Sequence, residues 1–216
     1  MRDIHCHILP GVDDGSQDLD TSLDMLAAAQ AAGITSIVCT PHCRDPWFDF
    51  DRMWDAYYQL LPHAAGKVDL HMGFEVNHSK LMSLGLDWAP KLTFDNGREF
   101  LLELSDRCTE FDFAQYERTI YELQGMGYEV IIAHPERYAA IQKNPELAMR
   151  LVKHGCKLQA SANCEGRNMF DPRRKTSKKL FEMRAYTYIA SDAHYVGHYE
   201  KLAQVREKYP LGRHFK

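Results

Sequence analysis

What this chain does without narrows its chemistry before any motif is read. None of its six cysteines (Cys6, Cys39, Cys43, Cys108, Cys156 and Cys164) belongs to a CxxC pair, and none is followed six positions later by arginine. Thiols scattered in this way read as reduced, mostly buried residues of a reducing cytoplasm. The thiolate loop of cysteine-dependent phosphatases is missing, so any phosphatase chemistry must use something other than a thiol. No apolar run approaches the roughly 20 residues of a membrane span. Nor does an apolar signal core precede Asp3 and His5, so neither secretion nor membrane insertion is expected. Positive charge is not in excess either: 26 Lys and Arg against 30 Asp and Glu leave a net charge of −4. That balance argues against a broad nucleic-acid footprint. Repeats, linkers and low-complexity stretches are absent too, and 216 residues suit one domain spanning 1–216 with a substantial core.

What the chain does have is histidine, eleven in all, placed with purpose. The first fifteen residues hold Asp3-Ile4-His5-Cys6-His7 and then Asp13-Asp14-Gly15. If 2–8 is a strand, His5 and His7 project to one side and can reach one cation together. Pro10-Gly11 breaks that strand into a turn. Imidazole nitrogens beside the carboxylates of Asp13 and Asp14 form a mixed ligand set for a divalent metal.

Helical spacing of Leu19, Leu23 and Leu26 predicts a first helix stopped by Gly33. The β-branched run 34–40 predicts a buried strand ending at Pro41-His42, and 68–76 a third strand with Glu75 near its end. Between them Phe50, Met53, Trp54, Tyr57, Tyr58 and Leu61 mark a second helix, its aromatics read as core packing. A short helix with a loop fills 77–90. Asp95-Asn96-Gly97 predicts a tight turn into strand 99–104, where Glu103 is the only acid of the run Phe100-Leu101-Leu102-Glu103-Leu104 and costly to bury alone. Strand 129–133 delivers His134-Pro135-Glu136-Arg137-Tyr138; helix 145–154, strand 156–162 and strand 186–191 follow, the last ending in Asp192-Ala193-His194. The run Arg173-Arg174-Lys175 with Lys178-Lys179 reads as a solvated helix face, and a last helix covers about 199–208. Seven strands alternating with helices imply βαβ units and a parallel sheet, either a barrel or an open doubly wound sheet.

Six of these seven strands end in a residue able to bind metal: His5 and His7, His42, Glu75, Glu103, His134, then Asp192 and His194. Only strand 156–162 lacks an obvious one. In a β/α barrel all strand C-termini open on one rim, so ligands far apart in sequence converge there. Asp14, Glu75, Glu103 and Asp192 would bring about four negative charges into that mouth. About three divalent cations reverse the sign to roughly +2, which suits a phosphate dianion.

With these residues in view the chain resembles the polymerase and histidinol phosphatase (PHP) superfamily, and within it the manganese-dependent tyrosine-protein phosphatases of bacterial capsule and exopolysaccharide loci. The blocks that carry the resemblance are Asp3–His7 with Val12–Gly15, Thr40-Pro41-His42, Gly73-Phe74-Glu75, Leu102-Glu103, Ile132–Tyr138 and Ala190–His194. It implies a distorted seven-stranded (β/α)7 barrel holding three metal ions. His5, His7 and Asp192 would hold the first, with Glu75 bridging to the second. Glu103 and His134 would complete the second, and Asp14, His42 and His194 the third. The resemblance also implies catalytic roles for His42 and His194, and for Arg137 as a phosphate clamp, in keeping with a guanidinium's bidentate geometry. Manganese is the implied metal, although iron, cobalt and zinc suit the same ligands. The implied partner is a phosphotyrosine-bearing protein, the tyrosine-rich tail of an autophosphorylating kinase of polysaccharide export, met in the cytoplasm; an oligomer is compatible with this.

Relatives often carry an arginine shortly after the final Asp-x-His, where Tyr195-Val196-Gly197-His198 stands here. His198, Arg44 and Arg167 are the candidate replacements. The chemistry expected is in-line hydrolysis of a phosphomonoester by a metal-bridging hydroxide. Trp47 and Phe48 either flank the mouth or pack as core. Two other readings stand beside this one: a PHP-type phosphatase of a small ester such as histidinol phosphate or a nucleotide, and a catalytically silent metal-binding regulatory module.

Overall fold

The computed structural model describes residues 1–166 and 168–211. Among the described residues nine strand segments, all parallel where they pair, are interspersed with helices. In chain order they are β1 (Arg2–Cys6), α1 (Leu19–Ala31), β2 (Ser36–Cys39), β3 (His42–Cys43), α2 (Phe50–Ala64), β4 (Asp69–Met72), β5 (Glu75–Asn77), α3 (His78–Leu84) and α4 (Ala89–Leu92). Then come β6 (Glu99–Glu103), α5 (Phe113–Gly125), β7 (Glu129–Ala133), α6 (Ala139–Lys143), α7 (Glu146–Lys153), β8 (Lys157–Ser161), α8 (Pro172–Glu182), β9 (Tyr188–Ala190) and α9 (Gly197–Lys208). Among the described residues no helix is long and apolar enough to cross a membrane.

The segments are the seven expected strands with two of them broken in half. The second splits into β2 and β3 at Thr40-Pro41, where proline has no N–H to give a ladder. The third splits into β4 and β5 at Gly73-Phe74; a Cβ on Gly73 would lie 2.4 Å from the Phe94 ring, so only glycine lets the strand bend past it. The upstream halves pair as β1-β2-β4 and the downstream halves continue as β3-β5-β6-β7-β8-β9, all parallel. The two ends of this α/β array meet at the strand C-termini. There Asp192 N–H donates to His5 C=O at 2.8 Å and His7 N–H to Ala193 C=O at 2.9 Å, beside a parallel bridge between Cys6 and Ala193. The barrel-like arrangement thus gathers its strand C-termini on one rim.

Side-chain alternation builds two apolar layers. Phe100 and Leu102, Val130 and Ile132, Leu158 and Ala160 pack outward beneath the helices, in one cluster with Met53, Leu60, Ile120, Leu123 and Leu151. Inward, Ile4, Val38, Phe94, Leu101, Ile131, Ala133 and Ala190 form a smaller plug. On α2 the packing falls on Met53, Tyr57 and Leu60, while Tyr58 and Leu61 of the expected stripe are exposed. Asp95 and Asn96 both take positive φ, the tight turn their sequence implies. Helix α6 was not legible in the sequence, and α8 carries Lys175, Lys178 and Lys179 on a solvated face as expected.

Candidate metal centre

The rim is built by small departures from regular strand. Between Asp3 and Cys6, β1 takes one residue more than β2 opposite it, a bulge. Bulges re-aim side chains: Ile4 joins the inner plug, yet His5 also reaches the rim alongside His7. At the ends of β7 and β9, His134 and Asp192 adopt φ of 29° and 48°. Non-glycine residues hold such conformations only where their surroundings impose them, and such sites are disproportionately functional. Gly15 packs where a Cβ would fall 2.2 Å from the His7 carbonyl oxygen, which ties the Asp13-Asp14-Gly15 turn against the end of β1.

The nine side chains expected to bind metal lie in one contiguous cluster. Their donor atoms form three groups, each mutually within 4.8 Å: His7, Asp14, His42 and His194; His5, His7 and Glu75; His42, Glu75 and Glu103. His7, His42 and Glu75 are each shared between two groups. His134 Nε2 lies 2.6 Å from Glu75 Oε1, and Asp192 Oδ1 is 3.5 Å from both His5 Nε2 and His7 Nε2. Glu75 Oε2 is 3.4 Å from the same two nitrogens and 2.7 Å from His42 Nδ1. Two atoms each about 2.1 Å from one ion stand roughly 3.0–3.4 Å apart at octahedral to tetrahedral angles. The distances of His5 and His7 from Glu75 and Asp192, 3.4 and 3.5 Å, lie at the upper edge of that range, and the Glu75 contacts with His134 and His42 are shorter.

The hydrogen-bond inventory points the same way. His42 Nδ1, Glu75 Oε2, His134 Nδ1 and Asp192 Oδ1 are buried without a hydrogen-bond partner, the short His42–Glu75 contact being out of line for one. Buried polar atoms left so are rare and call for an explanation. Gln159 donates to the Ala160 carbonyl at 2.8 Å, which fixes its amide and turns Oε1 to accept from His5 Nδ1 at 2.9 Å. Asp13 Oδ2 likewise accepts from His7 Nδ1 at 2.8 Å. With both Nδ1 atoms engaged in this way, the Nε2 atoms of His5 and His7 face each other at 3.1 Å. Burial would lower both pKa values, yet Glu75 and Asp192 raise that of His5, and Asp13, Asp192 and Glu75 raise that of His7 well above its ordinary value. The pair thus favours positive charge between its two rings, from a proton or from a shared cation. The residues present therefore fit divalent metal.

Strand 156–162, which has no obvious ligand in the sequence, supplies Gln159 and also Ser161, whose hydroxyl is 3.1 Å from Asp192 Oδ2. Asp13, expected beside Asp14 in the ligand set, instead turns to His7 Nδ1 and also receives the His42 and Gly15 N–H groups at 3.1 and 3.0 Å. Such second contacts set ring tautomer and orientation. Glu136 is fully buried and accepts from Ser161 N–H and Tyr186 O–H at 3.0 and 2.9 Å, bracing the loop that carries Arg137.

Electrostatics divide the cluster. Burial alone would raise the carboxyl pKa of Glu75 and of Asp192, but His5 and His42 around the first, and Arg137 and His5 around the second, hold both well below the usual range. Glu103 goes the other way, pushed up to about 7 by burial and by Glu75 beside it. Burial and His7 would lower His42, yet Glu75 and Asp14 raise it to about 9. Asp14 is held below its ordinary value by His194 and His42.

The exposed part of the site is its mouth. Asp14 is 44% exposed, Arg44 34%, Arg137 24% and His194 22%, whereas His5, His7, Glu75, His134 and Asp192 are sealed. Arg137 Nη2 engages Asp192 Oδ2 and donates to Ser161 Oγ at 3.3 Å. His198 does not take the place of a late arginine: burial lowers its pKa to about 4, so it is neutral. Its Nδ1 lies 3.1 Å from the His194 N–H and from the Asp192 carbonyl, bracing that turn. Arg44 stands at the mouth, and Arg167 lies outside the described residues. Phe48 packs edge-on against Phe74 and Trp88, while Trp47 is partly exposed. All six cysteines are free and buried.

Comparison with known proteins places the chain. The model of the family described as capsular polysaccharide synthesis, CpsB/CapC, matches residues 1–207. Tyrosine-protein phosphatase YwqE of Bacillus subtilis is 32% identical over 202 residues, covering 91% of this chain and 78% of that protein. Tyrosine-protein phosphatase CpsB of Streptococcus agalactiae serotype V is 27% identical over 204 residues, covering 90% and 83%. A crystal structure from work on YwqE and Streptococcus pneumoniae CpsB, described as unique metal-dependent tyrosine phosphatases, superposes with a TM-score of 0.82 at 29% identity, covering 99% of this chain and 89% of that one. Histidinol phosphate phosphatase of Lactococcus lactis shares the fold alone, with a TM-score of 0.56 at 16% identity over 97% and 95% of the two chains. The chain belongs to the CpsB/CapC family.

Proposed function

We propose that this chain is a metal-dependent protein-tyrosine phosphatase in which His5, His7, Asp14, His42, Glu75, Glu103, His134, Asp192 and His194 hold three divalent ions, manganese foremost. The observation that carries the reading is the convergence on one rim of buried, unpartnered donor atoms from Glu75, Asp192 and His42. Family membership and relatives named tyrosine-protein phosphatases support the substrate class.

Ions held there supply Lewis acidity toward phosphoryl oxygens and toward water. The chain's own residues do the rest. Asp13 and Gln159 hold His7 and His5 in the tautomer that presents Nε2. Arg137, anchored through one nitrogen on Asp192 and Ser161, offers its other N–H donors to equatorial phosphate oxygens as their charge redistributes. His42 and His194 line the exposed corner with Asp14 and orient the ester at the mouth. A departing tyrosinate, with a phenol pKa of about 10, needs little general-acid help. The partner is a phosphotyrosine-bearing tail of a kinase serving polysaccharide export in the cytoplasm, and residues 1–216 act as one catalytic unit.

Hydrolysis of a phosphotyrosine peptide, p-nitrophenyl phosphate and histidinol phosphate by the purified chain, with and without chelator, tests this. The expected result is chelator-sensitive turnover of the first two. Turnover of histidinol phosphate with none of the peptide would favour the small-ester enzyme, and metal binding without turnover would favour the silent module.

A further inference from the structure

At the mouth, Arg44 makes contacts of an unusual kind. Its Nη2 lies 3.0 Å from His42 Nε2 and 3.6 Å from Asp14 Oδ2, and Nη1 donates to Glu103 Oε1 at 3.4 Å. The same Nε2 meets Asp14 Oδ1 at 3.1 Å, with His194 Nε2 3.4 Å from that oxygen. These are the atoms that the most exposed of the three donor groups offers a cation. A guanidinium and a metal ion cannot both occupy that corner. Glu103 is held on its other side by Asn77 Nδ2 at 3.2 Å, so it does not depend on Arg44 for its position.

From this geometry we infer that Arg44 is a stand-in cation for the His42–Asp14 corner that metal loading displaces, and that the freed guanidinium then binds the substrate's phosphate opposite Arg137. The inference rests on the phosphatase reading and deepens it by naming a second phosphate-binding residue. Two features favour release over a fixed salt bridge. Arg137 is tied to a sealed carboxylate, Asp192, whereas Arg44 is 34% exposed, its partner Asp14 is 44% exposed, and its contact with the buried Glu103 is a long 3.4 Å. Charge-assisted contacts between exposed groups are weak and easily exchanged. Once the carboxylates are neutralised by divalent ions, the nearest uncompensated anion is the ester.

Arg44→Met and Arg44→Lys separate this from the alternatives through two measurements on the purified chain. The first is manganese titration of the metal-free protein by calorimetry. Removing the competitor in Arg44→Met is expected to tighten the weakest manganese site several-fold. The second is inorganic phosphate binding to the fully loaded protein. There Arg44→Met is expected to weaken binding by about ten- to a hundred-fold, the range for losing a charged hydrogen bond, with Arg44→Lys recovering part of it. Unchanged manganese affinity would overturn the competition, and unchanged phosphate affinity would overturn the role in binding. If loaded wild-type protein binds no phosphate at all, the phosphatase reading falls and the inference with it. Phosphate binding that persists in Arg44→Met refutes the inference alone.

Discussion

Asp13→Asn is nearly isosteric and leaves every proposed metal ligand in place. Three N–H donors converge on the Asp13 carboxylate: His7 Nδ1 at 2.8 Å, His42 N at 3.1 Å and Gly15 N at 3.0 Å. An asparagine amide has one accepting oxygen and one donating NH2 group, so at least one of the three meets a donor head-on. If the NH2 turns toward Gly15, His7 keeps its tautomer but loses a charged partner for its ring. If it turns toward His7, Nδ1 becomes the acceptor and the proton moves to Nε2, where it blocks the lone pair aimed at the cluster. Loss of such a second contact typically weakens metal binding by about 10- to 100-fold, or roughly 1.4–2.7 kcal/mol. The assay is equilibrium dialysis against graded manganese followed by elemental analysis, with wild-type and variant side by side. The expected outcome is a right-shifted binding curve whose plateau is unchanged at saturating metal. A curve within twofold of wild type would refute the argument that Asp13 fixes the working tautomer of His7.

Other consequences follow from the same geometry. Gly15→Ala should depress both thermal stability and metal content, since its Cβ would lie 2.2 Å from the His7 carbonyl oxygen; normal values of both by thermal melts and elemental analysis would show the turn gives way freely. Chelation should abolish hydrolysis of p-nitrophenyl phosphate and manganese restore it, while iodoacetamide leaves it largely intact because all six thiols are buried. In the metal-free protein His42 has a folded pKa of about 9, raised by Glu75 and Asp14 above the ordinary value of about 6.5. A raised pKa contributes stability that is fully present below 6.5 and is lost as pH rises through 9. Burial and Glu75 raise Glu103 to about 7, which adds a loss in the same direction between about 4.5 and 7. The lowered pKa of His198, about 4, works in the opposite sense up to about 6.5. Urea denaturation of metal-free protein should therefore show falling stability from about pH 7 to 9, and a flat or rising profile there would contradict the buried charge balance. His134→Ala and Asp192→Ala should each remove most turnover of p-nitrophenyl phosphate while far-UV circular dichroism stays native.

The rim was legible in the sequence because it is written in contrasts. An acid or imidazole at the end of an apolar run, as at Glu103 after Phe100–Leu102 or His134 after Val130–Ala133, has no structural reason to recur strand after strand. What escaped is what such contrast does not mark. Gln159 is an amide in an alternating strand and reads as ordinary until its oxygen is seen on His5. The bulge in β1 leaves no residue-type signature, yet without it Ile4 and His5 would take opposite faces. Pro41 and Gly73 are visible breakers that were read through, because the flanking apolar runs were long enough to look continuous. His198 had the right chemistry for an anion contact, and only its burial beside Asn163 and the Asp192 carbonyl gives it a bracing role.

The most direct measurement is a metal count per chain on protein loaded with manganese and freed of excess, paired with the same count after Glu75→Gln. Glu75 is the carboxylate two of the three donor groups share. The account predicts about three ions per wild-type chain and a loss of at least one in the variant. A wild-type chain that retains none, or a variant that retains them all, would contradict it.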